Sequence, residues 1–66
     1  MLKLKGKRVE KGLTQSDMAK LINMEVPTYS RKERGIYRFR LDEIIKILEV
    51  LDCKFEDIFL PDVSSK

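Results

Sequence analysis

The sequence predicts an all-α fold, a compact bundle of five short helices, on three observations. Apolar residues recur at three- and four-residue spacing, whereas period-two alternation is confined to Leu2-Lys3-Leu4-Lys5. Turn formers at Gly12, Asn23, Gly35 and Pro61 cut the chain into short segments. With 66 residues, 42% of them apolar, the chain suffices for one small core and one domain. The domain is expected over 1–60, with 61–66 a short, frayed tail.

The first helix is expected over about 3–11 and stops at Gly12, a left-handed C-terminal glycine; Leu4 and Val9 are its thin apolar face. The second opens at Thr14, an N-cap residue with Asp17 in the acidic slot three positions on. Met18, Ala19 and Ile22 form its stripe, and Asn23 ends it by taking positive φ. The third runs over about 26–34, with Pro27 tolerated in its first turn and Gly35 as its stop. The fourth carries Leu41, Ile44, Ile45, Leu48 and Leu51 at helical spacing. Asp42 and Glu43 suit its positive N-terminus, and it ends near Asp52. The fifth spans 55 to 59 or 60, halted by Pro61.

Charge is divided along the chain. Residues 1–40 hold eleven cations against four anions, whereas 41–66 hold three against seven. A domain basic in one part and acidic in the other is suited to an anionic polymer such as nucleic acid. The stretch RKERGIYRFR, residues 31–40, concentrates five of the cations.

One Cys and no His exclude an internal disulfide and a His/Cys zinc site, so neither metal nor cofactor is expected. No glycine-rich phosphate loop and no carboxylate cluster in an apolar setting is present, which points away from an enzyme. Cys53 is expected to fill a core gap after the fourth helix. A lone thiol with no signal peptide or membrane span implies a cytoplasmic protein with no membrane partner.

Residues 15–34 form one unit of two short helices joined by a tight turn. A steep helix crossing needs a small side chain, hence Ala19. A turn this short needs positive φ, hence Asn23. Met18, Ile22, Met24 and Tyr29 close a small core beneath it. This is helix-turn-helix geometry, in which the second helix enters the DNA major groove N-terminus first.

Three motifs, GLTQ at 12–15, S-R-x-E-R-G at 30–35 and LDEIIKILEVLDCKFEDIF at 41–59, resemble the Cro/CI repressor, or Xre, type of helix-turn-helix domain without gaps over about residues 2–60. The resemblance implies a lambda repressor-like fold that binds double-stranded DNA as a homodimer and regulates transcription. It implies that Gln15 hydrogen-bonds a phosphate and that Val26, Pro27, Thr28 and Arg31 lie outward on the recognition helix. It also implies that Arg8 and Glu33 pair to tie the first helix to the end of the third.

The residue chemistry agrees for Arg31, which can donate two hydrogen bonds to guanine. Val26 and Pro27 can touch only thymine methyls, and Pro27 serves equally to start the helix. Thr28 is open to bases, phosphates or a cap; Ser30 and Thr14 are placed with the phosphate contacts. Arg34 closes the helix near a phosphate. Arg38 and Arg40 clamp phosphates from the following loop, with Tyr37 adding a hydrogen bond. Phe39 either packs under that loop or meets a partner. The dimer surface is expected among Phe55, Ile58, Phe59 and Leu60.

Three positions depart from the family pattern. Lys32 and Lys7 stand where apolar residues are usual, and Glu25 stands at a Ser/Thr N-cap, where an acid repels phosphate unless it accepts from cytosine N4. The function expected is that of a small phage-like or mobile-element repressor in a prokaryote, on a pseudo-palindromic operator with half-sites about 34 Å apart. Control is expected from concentration and dimerisation, with no small-molecule ligand and no separate sensory domain. The alternative is a protein-interaction module, an antirepressor or antitoxin, although six residues after Leu60 are few for a toxin-wrapping segment.

Overall fold

The computed structural model describes residues 3–59. In order, the helices are α1 (Leu4–Glu10), α2 (Gln15–Leu21), α3 (Val26–Glu33), α4 (Leu41–Leu51) and α5 (Phe55–Phe59), with no strand among the described residues. The five-helix, all-α architecture is therefore as expected. Pro61, Leu60 and the tail lie outside the described residues.

The helix boundaries follow local chemistry. Thr14 and Asp17 form a complete capping box at α2: Thr14 Oγ1 accepts from the Asp17 N–H at 3.0 Å, and Asp17 Oδ2 accepts from the Thr14 N–H at 2.9 Å. Those bonds hold the Asp17 carboxyl below its usual pKa. Gly12 and Gly35 have φ of 75° and 87°, where a side chain would be strained. Asn23 turns the chain at φ 58°, and Asp52 does the same after α4 at φ 51°.

Every helix contributes to one core of Leu4, Met18, Ala19, Ile22, Tyr29, Ile47, Leu51 and Ile58. Full burial of a large apolar side chain stabilises by about 1.5–3 kcal/mol, so losing any one is felt in so small a domain. The chain start is tied to α5, where the Lys3 N–H donates to the Ile58 carbonyl at 3.0 Å. Cys53 packs half-buried against the core, in the gap-filling place expected, and burial pushes its thiol pKa up.

Two expected apolar faces are corrected. In α1, Leu4 is buried but Val9 is exposed. Five residues at about 100° each place Val9 well off the Leu4 face, and the inward partner of Leu4, at i+4, is Arg8. In α4, Leu41 and Ile45 are exposed. The inward residues are the buried Ile47 and Leu51, with Leu48 and Val50 packed against the core, while Ile44 is half-buried. The helix is so apolar that two registers fit its sequence, and the contacts of Ile47 and Leu51 with the core select between them.

Candidate nucleic-acid interface

The packing of α2 on α3 is the largest interhelical contact in the bundle. Ala19 is fully buried, as a steep crossing requires. The turn closes through the Met24 N–H, which donates to the Ala19 carbonyl at 2.7 Å. Glu25 then sits at the N-cap of α3 in extended conformation, φ −68° and ψ 142°, and its side chain makes no capping hydrogen bond.

The α3 helix divides cleanly into faces. Tyr29 and Glu33, one turn apart, are buried. Val26, Pro27, Arg31 and Arg34 are exposed; Thr28, Ser30 and Lys32 are half-buried. Arg31 and Arg34 form no ion pair among the described residues. The four side chains expected to read bases thus lie on the accessible part of α3, with Thr28 at its edge.

The inner face of α3 is held by a buried polar network centred on Glu33. Arg8 Nε donates to Glu33 Oε2 at 2.7 Å, Arg8 Nη2 to Oε1 at 3.3 Å, and Arg8 Nη1 to the Leu13 carbonyl at 2.7 Å. Gln15 Nε2 donates to Oε1 at 2.8 Å, and the Tyr29 hydroxyl to Oε2 at 2.9 Å. Burial alone would raise the Glu33 pKa, but hydrogen bonds from Arg8, Gln15 and Tyr29 override it and hold the carboxyl below 4.5. The Glu33 carboxylate in turn keeps Arg8 protonated above its usual range. Burial, together with the bond to Glu33, pushes the Tyr29 hydroxyl far above its ordinary 10.0. One carboxylate thus joins α1, the start of α2 and α3. The Arg8–Glu33 pair is in place. Gln15 differs from its expected single role, since its amide is half-buried and one N–H is committed to Glu33.

A second polar link was not foreseen. Lys32 Nζ donates to Glu43 Oε1 and Oε2 at 2.9 and 3.1 Å, and Glu43 Oε1 also accepts from the Arg40 N–H at 2.8 Å. The two side chains are only 13% and 17% exposed. Lys32 therefore keeps its usually apolar position by running its stem inward and pairing its head with the first turn of α4. The available signal was the mismatch itself, read together with an acid at the third position of α4.

Between α3 and α4, residues 36–40 point Ile36, Tyr37, Arg38 and Arg40 outward and Phe39 inward. The Phe39 ring centroid lies 6.0 Å from Tyr29 and 6.0 Å from Phe59, the latter edge-on. That settles the open choice for Phe39 in favour of packing. Arg38 is in no ion pair among the described residues, and Arg40 meets Asp42 only at 3.9 Å with both largely exposed, a contact of little energy. Thr14 and Ser30 stand at the start of α2 and on α3, the former exposed and the latter half-buried.

The expected dimer residues do not act alike. Ile58 is fully buried in the core and is withdrawn from any surface. Phe59 is half-buried, stacked on the exposed Phe55 at 5.1 Å; Leu60 lies outside the described residues. Among the described residues no group of His, Cys, Asp or Glu could hold a metal, and no helix is long and apolar enough to cross a membrane.

A search of curated proteins finds no match to the chain. Residues 4–58 match a family model described as helix-turn-helix, which takes in all of α1 to α4 and most of α5. With the capping box, the Asn23 turn and the divided faces of α3 all lying within that span, the chain belongs to the Cro/CI, or Xre, type of helix-turn-helix domain, a family of DNA-binding transcription regulators.

Proposed function

We propose that this protein is a small cytoplasmic repressor of the phage-like or mobile-element kind, acting as a homodimer on a pseudo-palindromic operator. In this reading α3 enters the major groove. Arg31 takes guanine through O6 and N7, Val26 and Pro27 meet thymine methyls, and Thr28 lies at the edge of the base contact. Thr14, Gln15, Ser30, Arg34, Tyr37, Arg38 and Arg40 hold phosphates on either side. Phe55 and Phe59, with Leu60, supply the dimer surface.

The observation that carries this is the division of α3. Its inner residues are locked by the Glu33 network, while Arg31 stands exposed and unpaired beside two exposed apolar side chains. A rigid scaffold that holds the unpaired Arg31 guanidinium out beside those side chains suits bidentate base recognition. Selection from random duplexes tests it. The wild type should enrich a two-fold symmetric site, and Arg31→Ala should lose preference at one base pair in each half. Enrichment of no motif, or of the same motif by both proteins, would contradict it.

A further inference from the structure

We infer that Glu25 is a specificity-determining residue, which requires a cytosine in each operator half-site close to the guanine taken by Arg31. The inference rests on the reading of α3 as the major-groove helix.

Glu25 occupies the N-cap of α3, yet it does not cap. Its side chain accepts no hydrogen bond from the first turn. One of the usual donors is missing, because the second helical residue is Pro27, which has no N–H. Nor is the charge neutralised by a neighbour. Lys20 borders the same shallow cleft at the helix turn, together with Ser16, Asn23, Met24 and Val26, but no ion pair joins it to Glu25. The carboxylate is therefore an exposed acceptor with no partner among the described residues, at the tip of the helix that leads into the groove.

A carboxylate there faces two alternatives on DNA. Toward phosphates it is repelled, which lowers affinity for every sequence alike. Toward base edges it can only accept, and in the major groove the cytosine N4 amino group is the donor that suits it. Arg31 is the complement, a donor with no acceptor capacity, suited to guanine. Val26 and Pro27 lie between them and offer only apolar contact. The tip therefore presents an acceptor, an apolar step and a donor in order along α3. Six residues of helix rise about 9 Å, and base pairs stack about 3.4 Å apart, so the two polar readings fall within about three base pairs of each other.

The test compares wild type, Glu25→Ala and Glu25→Gln by random-duplex selection, then by titration of the selected site and its single-base variants at one salt concentration. The wild type should select cytosine within about three base pairs of the guanine whose preference Arg31→Ala abolishes. Glu25→Ala should lose about tenfold of discrimination at that cytosine and keep the guanine. Glu25→Gln should move the preference to adenine, which pairs with an amide. Because the Glu25 side chain makes no hydrogen bond or ion pair among the described residues, and its backbone bond to Tyr29 is kept in each variant, all three should melt alike. If Glu25→Ala bound all duplexes more tightly with an unchanged motif, Glu25 would be only a repulsive charge and the inference would be overturned. A wild type that selects no motif would instead remove the reading of α3, and the inference with it.

Discussion

Arg8→Ala should strip the fold of a large part of its stability. The Arg8 and Glu33 side chains are 8% and 3% exposed, and the guanidinium supplies two of the four hydrogen bonds on the carboxylate. Truncation leaves Glu33 buried with only Gln15 and Tyr29 as donors, and it frees the Leu13 carbonyl. Breaking a buried pair from one side costs about 3–5 kcal/mol. A domain of this length has about 3–10 kcal/mol in total. The melting temperature should fall by more than about 10 °C at neutral pH, followed by circular dichroism.

The pH dependence has a definite sign. In the wild type the Glu33 pKa lies below its ordinary 4.5, so its contribution is present above that value and is lost as pH falls through the folded pKa. In Arg8→Ala the balance tips to burial, the pKa rises, and protonation relieves the stranded charge. The deficit should therefore be greatest near pH 7 and shrink toward pH 4. Adding Glu33→Gln should recover part of the loss at neutral pH, because it removes the charge that Arg8 had balanced. A melting temperature for Arg8→Ala within a few degrees of wild type at pH 7 would show that the network does not hold the bundle together.

Five further substitutions, four of them at cations of RKERGIYRFR and one at Glu43, separate the roles of those cations. Arg31→Ala should cost about 1–3 kcal/mol on the preferred site and little on unrelated duplexes, read by competition binding. Arg38→Ala and Arg40→Ala should weaken all duplexes alike and flatten the salt dependence by about one unit each; Arg40→Ala keeps the backbone N–H that Glu43 accepts from. Lys32→Met should cost about 1 kcal/mol by urea unfolding: an apolar stem replaces an apolar stem, but Glu43 loses its cation and keeps only the Arg40 N–H. Glu43→Ala should cost more, about 1–3 kcal/mol, because it strands Lys32 and the Arg40 N–H together. The reverse order would mean that the Lys32–Glu43 link does not anchor the loop.

What could be read from the chain follows how local each cause is. The Thr14–Asp17 box, the turns at Gly12, Asn23 and Gly35, and the five segments depend on neighbours in sequence and were legible. The burial of Tyr29 and the Arg8–Glu33 pair were legible too, the latter through the family pattern. Val9 apart, which helix period alone places off the Leu4 face, the misreadings and the choice left open at Phe39 turn on distant contacts. Two registers suit α4, and only its packing against the other helices exposes Leu41 and Ile45. Ile58 looks like surface in a five-residue helix until α1 covers it, with Lys3 bonded to its carbonyl. Phe39 and Lys32 have partners in α5 and α4 respectively, and no spacing rule links them. In the candidate site, the outward position of Arg31 follows from helix period alone. The double duty of Gln15 does not, because it depends on where Glu33 lies.

The most direct test of DNA recognition by α3 and its following loop is a titration of the selected duplex and an unrelated duplex across a range of salt concentrations. In the proposed reading Arg34, Arg38 and Arg40, all exposed, would make three phosphate contacts per protomer. A dimer should therefore lose affinity with a slope on the order of −5 in log K against log salt, and it should prefer the selected duplex by about a thousandfold or more. Affinity that is indifferent to salt, or equal for the two duplexes, would contradict sequence-specific binding through this face.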